Sequence, residues 1–325
     1  TSENNHPPTA ASTSVGRHWM MSLRVAEMCF IPIVRRHDPV HVKPVCNRPA
    51  DGIDRCRKDA IVPVKEFNMT ITNDGSLAGR TALITGGGGG MGGRHSTMLA
   101  ERGAKVIVLD RDGVAAEEVV STITNAGGEG LAVAVDATGI PAFQAAIRDA
   151  AATMGPVDIL VNNAGIGGQG LAIEDIDEAT FDAMVAVNMK ASFFATQAVV
   201  PGMKERRYGK IINISSNFAM GGAPFASHYA ACKSALSGFV KSWARELAPW
   251  NIAVNAVAPG IIETGMTLGS IGKERIEGLA SEIPMGRIGT LDDISWAVAW
   301  LASGEADYMT GQVISPNGGA TIVGI

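Results

Sequence analysis

Thr81-Ala-Leu-Ile-Thr85 runs directly into Gly86-Gly-Gly-Gly-Gly-Met-Gly92, and helical periodicity begins near Met91. The first five residues are the short apolar run expected of a buried strand. Strand, glycines and helix in this order make a phosphate cradle. With no side chains at Gly86, Gly90 and Gly92, backbone can approach a pyrophosphate, and the helix start offers unpaired N–H groups and a positive dipole end. A glycine tract alone would equally describe a flexible linker, so its neighbours carry the reading.

Outward from this unit, the same alternation repeats to the end of the chain. Lys105–Leu109, Gly130–Val135, Asp158–Val161, Lys210–Ile214, Asn251–Val257 and Gln312–Ile314 read as six further strands. Helical periods fall between them, near 91–102, 113–126, 141–153, 178–203, 228–248 and 290–302. Apolar strands separated by helices predict an α/β fold: a single Rossmann-like, doubly wound domain with a seven-stranded parallel sheet. Such sheets bind ligands at the carboxyl ends of their strands, so functional residues should gather in the loops that follow each strand.

Residues 1–76 differ. They hold seven of the fifteen prolines and three of the four cysteines without a sustained period, and they read as an irregular extension before a domain over 77–325. Met69 opens a stretch that reads as a natural start. Arg17, Arg24, Arg35 and Arg36 among serines leave mitochondrial import as an alternative to a cytoplasmic location. His37, His41, Cys46 and Cys56 match no common zinc spacing, and no metal is expected. The net charge of −5 and the lack of a basic run argue against nucleic acid. The apolar run Met28–Val34, broken by Pro32, is too short for a bilayer. Four cysteines make no disulfide framework and suit a reducing compartment.

Asp110 closes the second strand, 24 residues past Gly86. A carboxylate there can accept both adenosine ribose hydroxyls and repels a 2′-phosphate, which favours NAD(H) over NADP(H). Arg111, next in sequence, is the residue that could grip such a phosphate. Asp136, with the Ala137 amide beside it, is placed either to bond adenine or simply to cap its strand. The fourth strand enters Asn162-Asn163-Ala164-Gly165. Here the asparagines either fix the backbone or touch cofactor, and Gly165 leaves room for a ribose.

Tyr229 and Lys233 stand four residues apart at the start of a helix whose apolar stripe is expected to continue through Leu236, Phe239 and Trp243. They should therefore share its buried face. An ammonium favours phenolate while burial opposes it; for acid/base work near neutrality the cation must win. Ser216 follows the strand 13 residues earlier and can hold a substrate oxygen, with Ser215 as its competitor. Asn188, on the apolar face of the 178–203 helix, should fix a water beside Lys233 or satisfy the core at a bend.

Thr85–Gly92, Asn162–Gly165, Asn188, Ser216, Tyr229, Lys233 and Pro259-Gly-Ile-Ile-Glu-Thr264 together resemble the motif set of the short-chain dehydrogenase/reductase family, over residues 77–325. The resemblance implies a catalytic tetrad of Asn188, Ser216, Tyr229 and Lys233, with Lys233 also on the nicotinamide ribose. It implies that Pro259, Gly260, Ile262 (through its backbone) and Thr264 line the nicotinamide end, and that Met91 lies against the cofactor. The all-glycine interior of the first motif departs from the family, where small polar residues are commoner.

In this family the stretch Met266–Gly286 acts as a mobile lid. With Ile166, Phe218, Met220 and Met266 at the mouth, the expected substrate is a largely apolar, medium-sized secondary alcohol or ketone, cyclic or open-chain. An NADPH-dependent 3-oxoacyl carrier-protein reductase is the alternative, and a catalytically silent cofactor-binding scaffold is the reading from another class. Lys273 and Arg275 either meet an acyl-carrier phosphate or form a solvated face. Homodimers or homotetramers are implied through the two long helices, with Phe193 and Trp243 serving that contact or the core.

Overall fold

The computed structural model describes residues 75–167, 170–265 and 273–323. The seven expected strands are present: β1 (Thr81–Thr85), β2 (Lys105–Asp110), β3 (Gly130–Ala134), β4 (Ile159–Asn162), β5 (Gly209–Ile214), β6 (Ile252–Val257) and β7 (Val313–Ile314). They form one parallel sheet in the order β3-β2-β1-β4-β5-β6-β7. The chain winds outward from β1 to β3, then crosses back to place β4 on the other side of β1. The crevice therefore opens where Thr85 and Asn162, the paired last residues of β1 and β4, end side by side.

Alternation along the strands builds a core on each face. Ala82 and Ile84 of β1 join Val106 and Val108 of β2 under α1 (Gly90–Glu101), α2 (Gly113–Asn125) and the late helix 291–302. Leu83, Ile107 and Leu109 face the opposite way, onto α3 (Ile140–Met154) and the long helices that follow β4 and β5. All of these strand residues are fully buried, each contributing about 1.5–3 kcal/mol for the larger aliphatics.

The predicted helix 178–203 is observed as α4 (Glu178–Val185) and α5 (Ala191–Arg206), joined by a π-helical turn over Ala186–Lys190. By length and composition Glu178–Arg206 could cross a bilayer, but Ala191, Ala195, Val199 and Met203 are buried in the domain's own core. After β5 come a short α6 (Phe218–Gly221) and α7 (Ser227–Leu247). The buried stripe of α7 differs from the expected one. It runs Lys233, Leu236, Val240, Ala244 and Leu247. Phe239 and Trp243 lie one residue around the helix, stacked 4.7 Å apart beside Phe193 on a partly exposed face. The 3.6-residue period allows only one of the two rows to face the sheet. The chain continues through α8 (Lys273–Glu282) and α9 (Leu291–Ala302), the latter started by a capping box between Thr290 and Asp293.

The expected extension falls almost wholly outside the described residues, as do His37, His41, Cys46, Cys56 and Met266. At the predicted domain start, Leu77 is buried and its amide bonds the Arg102 carbonyl at 2.7 Å.

Candidate active site

The cofactor end begins with close backbone packing. Gly86 adopts φ +62°, and a Cβ there would lie 2.8 Å from Ala164 Cα. At Gly92 a Cβ would come within 2.0 Å of the Gly86 carbonyl oxygen. No side chain fits at either position, so the turn can close only on glycine. Asn163 fastens the turn from β4: its Nδ2 donates to the Gly86 carbonyl at 2.8 Å and to the Thr85 carbonyl at 3.2 Å. Thr85 Oγ1 in turn accepts the amides of Asn163 and Ala164, both at 3.1 Å. Asn162 bonds Thr196 and Asn213 at 3.0 and 2.8 Å. Asn163 thus braces the backbone of the glycine turn and also lines the cleft above it, while Asn162 ties β4 to side chains of α5 and β5. Thr85 entered the sequence reading only as the start of the glycine motif, with no role of its own, although a strand-end hydroxyl beside a glycine turn was a usable signal.

The first turn of α1 carries no acidic residue, and its N-cap, Gly89, has no side chain to cap it. By contrast Asp112 caps α2 with bonds of 3.1 Å to Val114 and Ala115. Helix starts normally satisfy these amides. Leaving them to an outside anion fits a dinucleotide pyrophosphate.

A cleft of about 470 Å³ opens over this turn. Gly86, Gly90, Met91, Gly92, Asp110, Arg111, Asp136, Ala137, Asn163, Ala164, Gly165 and Thr264 all line it, so these predicted cofactor residues from five separate segments do converge. Ile166 and Val187 continue its wall, and Phe143, Leu109 and Val135 supply apolar floor that the sequence did not single out. The Asp110 carboxylate is preset by two amides, Gly88 N on Oδ2 at 2.9 Å and Asp112 N on Oδ1 at 3.0 Å. Asp136 behaves as a cap: Oδ1 accepts the Thr138 amide and hydroxyl, each at 2.8 Å, while the residue still borders the cleft. Those bonds, with Arg111 nearby, hold its carboxyl below the usual range.

Pro259, Gly260 and Ile262 are not among the residues that line this cleft. The Pro259 carbonyl accepts the Asn217 amide at 2.9 Å. Ile262 is buried and bridges to Gly289 through the flanking amides of Glu263 and Gly289, so its own peptide groups point to the other side.

The chemical end adjoins Gly165. A Cβ on this glycine would lie 2.7 Å from Asn188 Oδ1 and 3.2 Å from Lys233 Nζ, which brings the two polar atoms to one small space at the cleft wall. Asn188 sits in the π-helical turn, where widened backbone turns the amide inward. Its Nδ2 donates to the Ile166 carbonyl at 3.1 Å. Its Oδ1 is buried and has no protein partner among the described residues.

Lys233 is buried, and its Nζ donates to the Ile214 carbonyl at 2.9 Å. Loss of hydration lowers its pKa to about 8. Ser215 and Ser216 divide their work clearly. The Ser215 hydroxyl is committed to the Lys233 carbonyl at 2.8 Å, whereas the Ser216 hydroxyl donates only a long 3.4 Å bond to Asn217 Oδ1 and stands beside the Tyr229 phenol. Burial pushes that phenol above its ordinary value, and the Ser216 hydroxyl pulls the other way. In the protein alone, therefore, the cation does not outweigh burial. Lys233 Nζ stands 5.7 Å from the tyrosine ring centroid, and its own charge is weakened by burial.

Phe218 meets the Tyr229 ring edge-on at 6.4 Å, and Met220 follows on the same short α6. The backbone of α8 is helical, as expected of the lid's centre, while the side chains of Lys273 and Arg275 lie outside the described set.

Residues 80–274 match the sequence model of the short chain dehydrogenases. The chain belongs to the short-chain dehydrogenase/reductase family. It is 40% identical over 251 residues to the 3-oxoacyl-[acyl-carrier-protein] reductase of Thermotoga maritima, covering 76% of this chain and 99% of that one. Among solved structures, the 3-ketoacyl-(acyl-carrier-protein) reductase of Brucella melitensis complexed with NADH superposes with a TM-score of 0.71 at 37% identity, covering 76% of this chain and 100% of that one. A Beutenbergia cavernae chain assigned as an NAD(P)-dependent gluconate 5-dehydrogenase, with NADP bound, gives 0.73 at 33% identity over 76% of this chain and 98% of that one. The protein is an oxidoreductase of the family whose members bind NAD(P)(H), and the scaffold reading gives way to an enzyme.

Proposed function

We propose that the chain reduces the 3-oxo group of acyl thioesters, reversibly, with NAD(H) as its dinucleotide. The observation that carries the chemistry is the grouping of Ser216, the Tyr229 phenol and Lys233 Nζ, the last 5.7 Å from the tyrosine ring and beside Gly165 at the edge of a cleft fit for a dinucleotide. The relatives named above support the thioester class. Asp110, held by two backbone amides, supports NAD(H), because a carboxylate fixed in place repels a 2′-phosphate.

When bound, the reduced dinucleotide supplies the hydride that goes to the carbonyl carbon. Ser216 donates a hydrogen bond to the substrate oxygen and fixes the carbonyl. Tyr229 transfers its phenolic proton to that oxygen as negative charge develops there, which is the acid half of the reaction. Lys233 stabilises the resulting phenolate and orients the ribose. Asn188 Oδ1, bordering the same space as Lys233 Nζ, holds the water through which the pair regains its proton from solvent. In the oxidative direction Tyr229 is the base.

A second reading keeps an apolar, cyclic secondary alcohol as substrate, favoured by the aromatic edge of Phe218 against Tyr229 at the mouth. The two are separated by steady-state rates on a 3-oxoacyl thioester and on cyclic ketones, each with NADH and NADPH. The proposal expects the thioester with NADH to exceed every other pairing in kcat/KM by about tenfold or more. Faster turnover of the cyclic ketone overturns the substrate, and a preference for NADPH overturns the cofactor. The aromatic face of Phe193, Phe239 and Trp243 is proposed as the pairing surface of a homo-oligomer, to be tested by light scattering of Trp243→Lys.

A further inference from the structure

We propose that Asn317 and Thr321 are positioning residues for the substrate side of the site, clasping the Ser216 loop, the Pro259–Gly260 segment and the end of the lid into one unit. The inference rests on the reading that Ser216 holds the substrate oxygen.

The clasp is a five-residue turn folded around one side chain. Asn317 Nδ2 donates to Ser315 Oγ and to the Thr321 carbonyl, both at 2.8 Å, and its Oδ1 accepts the Gly319 amide at 2.8 Å and the Thr321 amide at 3.5 Å. Every bonding direction of the amide is spent within Ser315–Thr321, three of the four on the turn itself, which makes its shape dependent on this residue.

Three contacts lead outward. Toward the lid, Met285 N donates to the Gly318 carbonyl at 3.1 Å. Gly318 and Gly319 adopt φ +63° and +90°, and Cβ atoms there would lie 2.7 Å from Ile283 Cγ2 and 3.0 Å from Pro284 Cγ. The turn therefore sits flush on Ile283–Met285, where the stretch after α8 rejoins the domain. Toward the nicotinamide end, Gly260 N donates to the Pro316 carbonyl at 3.0 Å, and a Cβ on Gly260 would meet Asn317 Cα at 2.8 Å.

Toward the substrate, Thr321 Oγ1 accepts Asn217 Nδ2 at 3.3 Å, and Asn217 Oδ1 accepts the Ser216 hydroxyl at 3.4 Å. Thr321 also packs near α6, its Cγ2 lying 3.5 Å from where a Gly221 Cβ would be. The Ser216 hydroxyl directs its proton at Asn217, and its oxygen accepts the Phe218 amide at 3.2 Å. It releases a long, weak bond when it turns to donate to a substrate oxygen. The hydroxyl that holds the substrate and the anchor of the lid thus share one support.

Thr321→Val removes the bridge to Asn217 while leaving the Asn317 turn intact, and Thr321→Ser restores the hydroxyl. Amide exchange of Ala219, Met220 and Gly221 should accelerate about tenfold in Thr321→Val, with the β-sheet amides unchanged, and return in Thr321→Ser. On the 3-oxoacyl thioester, kcat should fall about three- to tenfold while NADH affinity, read by fluorescence titration, stays within about twofold. Unchanged exchange at 219–221 overturns the clasp whatever the substrate proves to be. Accelerated exchange with kcat unaltered overturns its positioning role. A wild-type enzyme inactive on thioesters refutes the substrate assignment instead, and the exchange result still stands.

Discussion

The Ser215 hydroxyl donates to the Lys233 carbonyl at 2.8 Å, so the strand that delivers Ser216 is fastened to the helix that delivers Tyr229 by the residue just before the reacting serine. Lys233 Nζ returns a bond to the Ile214 carbonyl at 2.9 Å, closing the link from the other side. The two serines should separate on mutation. Ser215→Ala loses one buried hydrogen bond and costs about 1 kcal/mol of stability with a kcat loss below tenfold. Ser216→Ala leaves stability nearly unchanged and lowers kcat about a hundredfold. Thermal unfolding and steady-state rates on both variants decide it, and equal kcat losses would count against the division of roles.

The glycine turn makes a sharper contrast. Gly92 admits no Cβ, because the Gly86 carbonyl oxygen would be 2.0 Å away, whereas nothing lies within 4 Å of a Cβ on Gly89, whose backbone is extended. Gly92→Ala should destabilise the domain by about 1–3 kcal/mol and abolish measurable NADH binding. Gly89→Ala should leave the unfolding temperature of the protein alone within about 1 °C. An equal loss in both would mean that the turn is held by something other than this packing.

Asp110 sets the dinucleotide choice if its fixed carboxylate is what meets the ribose. Asp110→Ser should weaken NADH and strengthen NADPH, changing the ratio of their dissociation constants by about tenfold or more, roughly 1.4 kcal/mol. An unchanged ratio would move the selectivity to another residue, Arg111 first.

A pH dependence of stability follows from His95, which is fully buried on α1 and shares a 2.7 Å hydrogen bond with Ser295 of α9. Loss of hydration, with Arg94 adding, lowers its pKa to about 3. Its folded value lies below the unfolded value near 6.5, so from pH 6.5 down to 3 the unfolded chain takes up a proton that the folded protein refuses. Stability is lost across that window as pH falls, by up to about 1.4 kcal/mol per unit from this group. Denaturant titrations at pH 6.5, 5.5 and 4.5 should show a shallower slope in His95→Gln than in wild type. Parallel slopes would remove His95 as the cause.

Most of the frame was legible because buried parallel strands are written as continuous apolar runs and helices as 3.6-residue periods. The ends moved by a residue or two, as at β4, where Asn162 rather than Asp158 belongs to the strand. The convergence of Gly86, Asp110, Asp136 and Gly165 on one cleft followed from the rule that loops after parallel strands share an edge. What escaped was tertiary. The π-helical turn at Asn188 leaves no mark in periodicity, and the inward row of α7 depends on which of two apolar stripes the sheet selects. Thr321 reaches Asn217 across 104 positions, a contact that no local pattern announces. The balance at Tyr229 also required the fold, since burial and the distance to Lys233 are not encoded in their four-residue spacing.

The central claim is that Tyr229 passes the proton, and Tyr229→Phe tests it with the ring and its packing on Phe218 retained. NADH affinity measured by fluorescence should stay within about twofold, while kcat on the wild-type enzyme's preferred substrate falls by about 10²–10⁴. Turnover within a few-fold of wild type, with NADH bound normally, would contradict it.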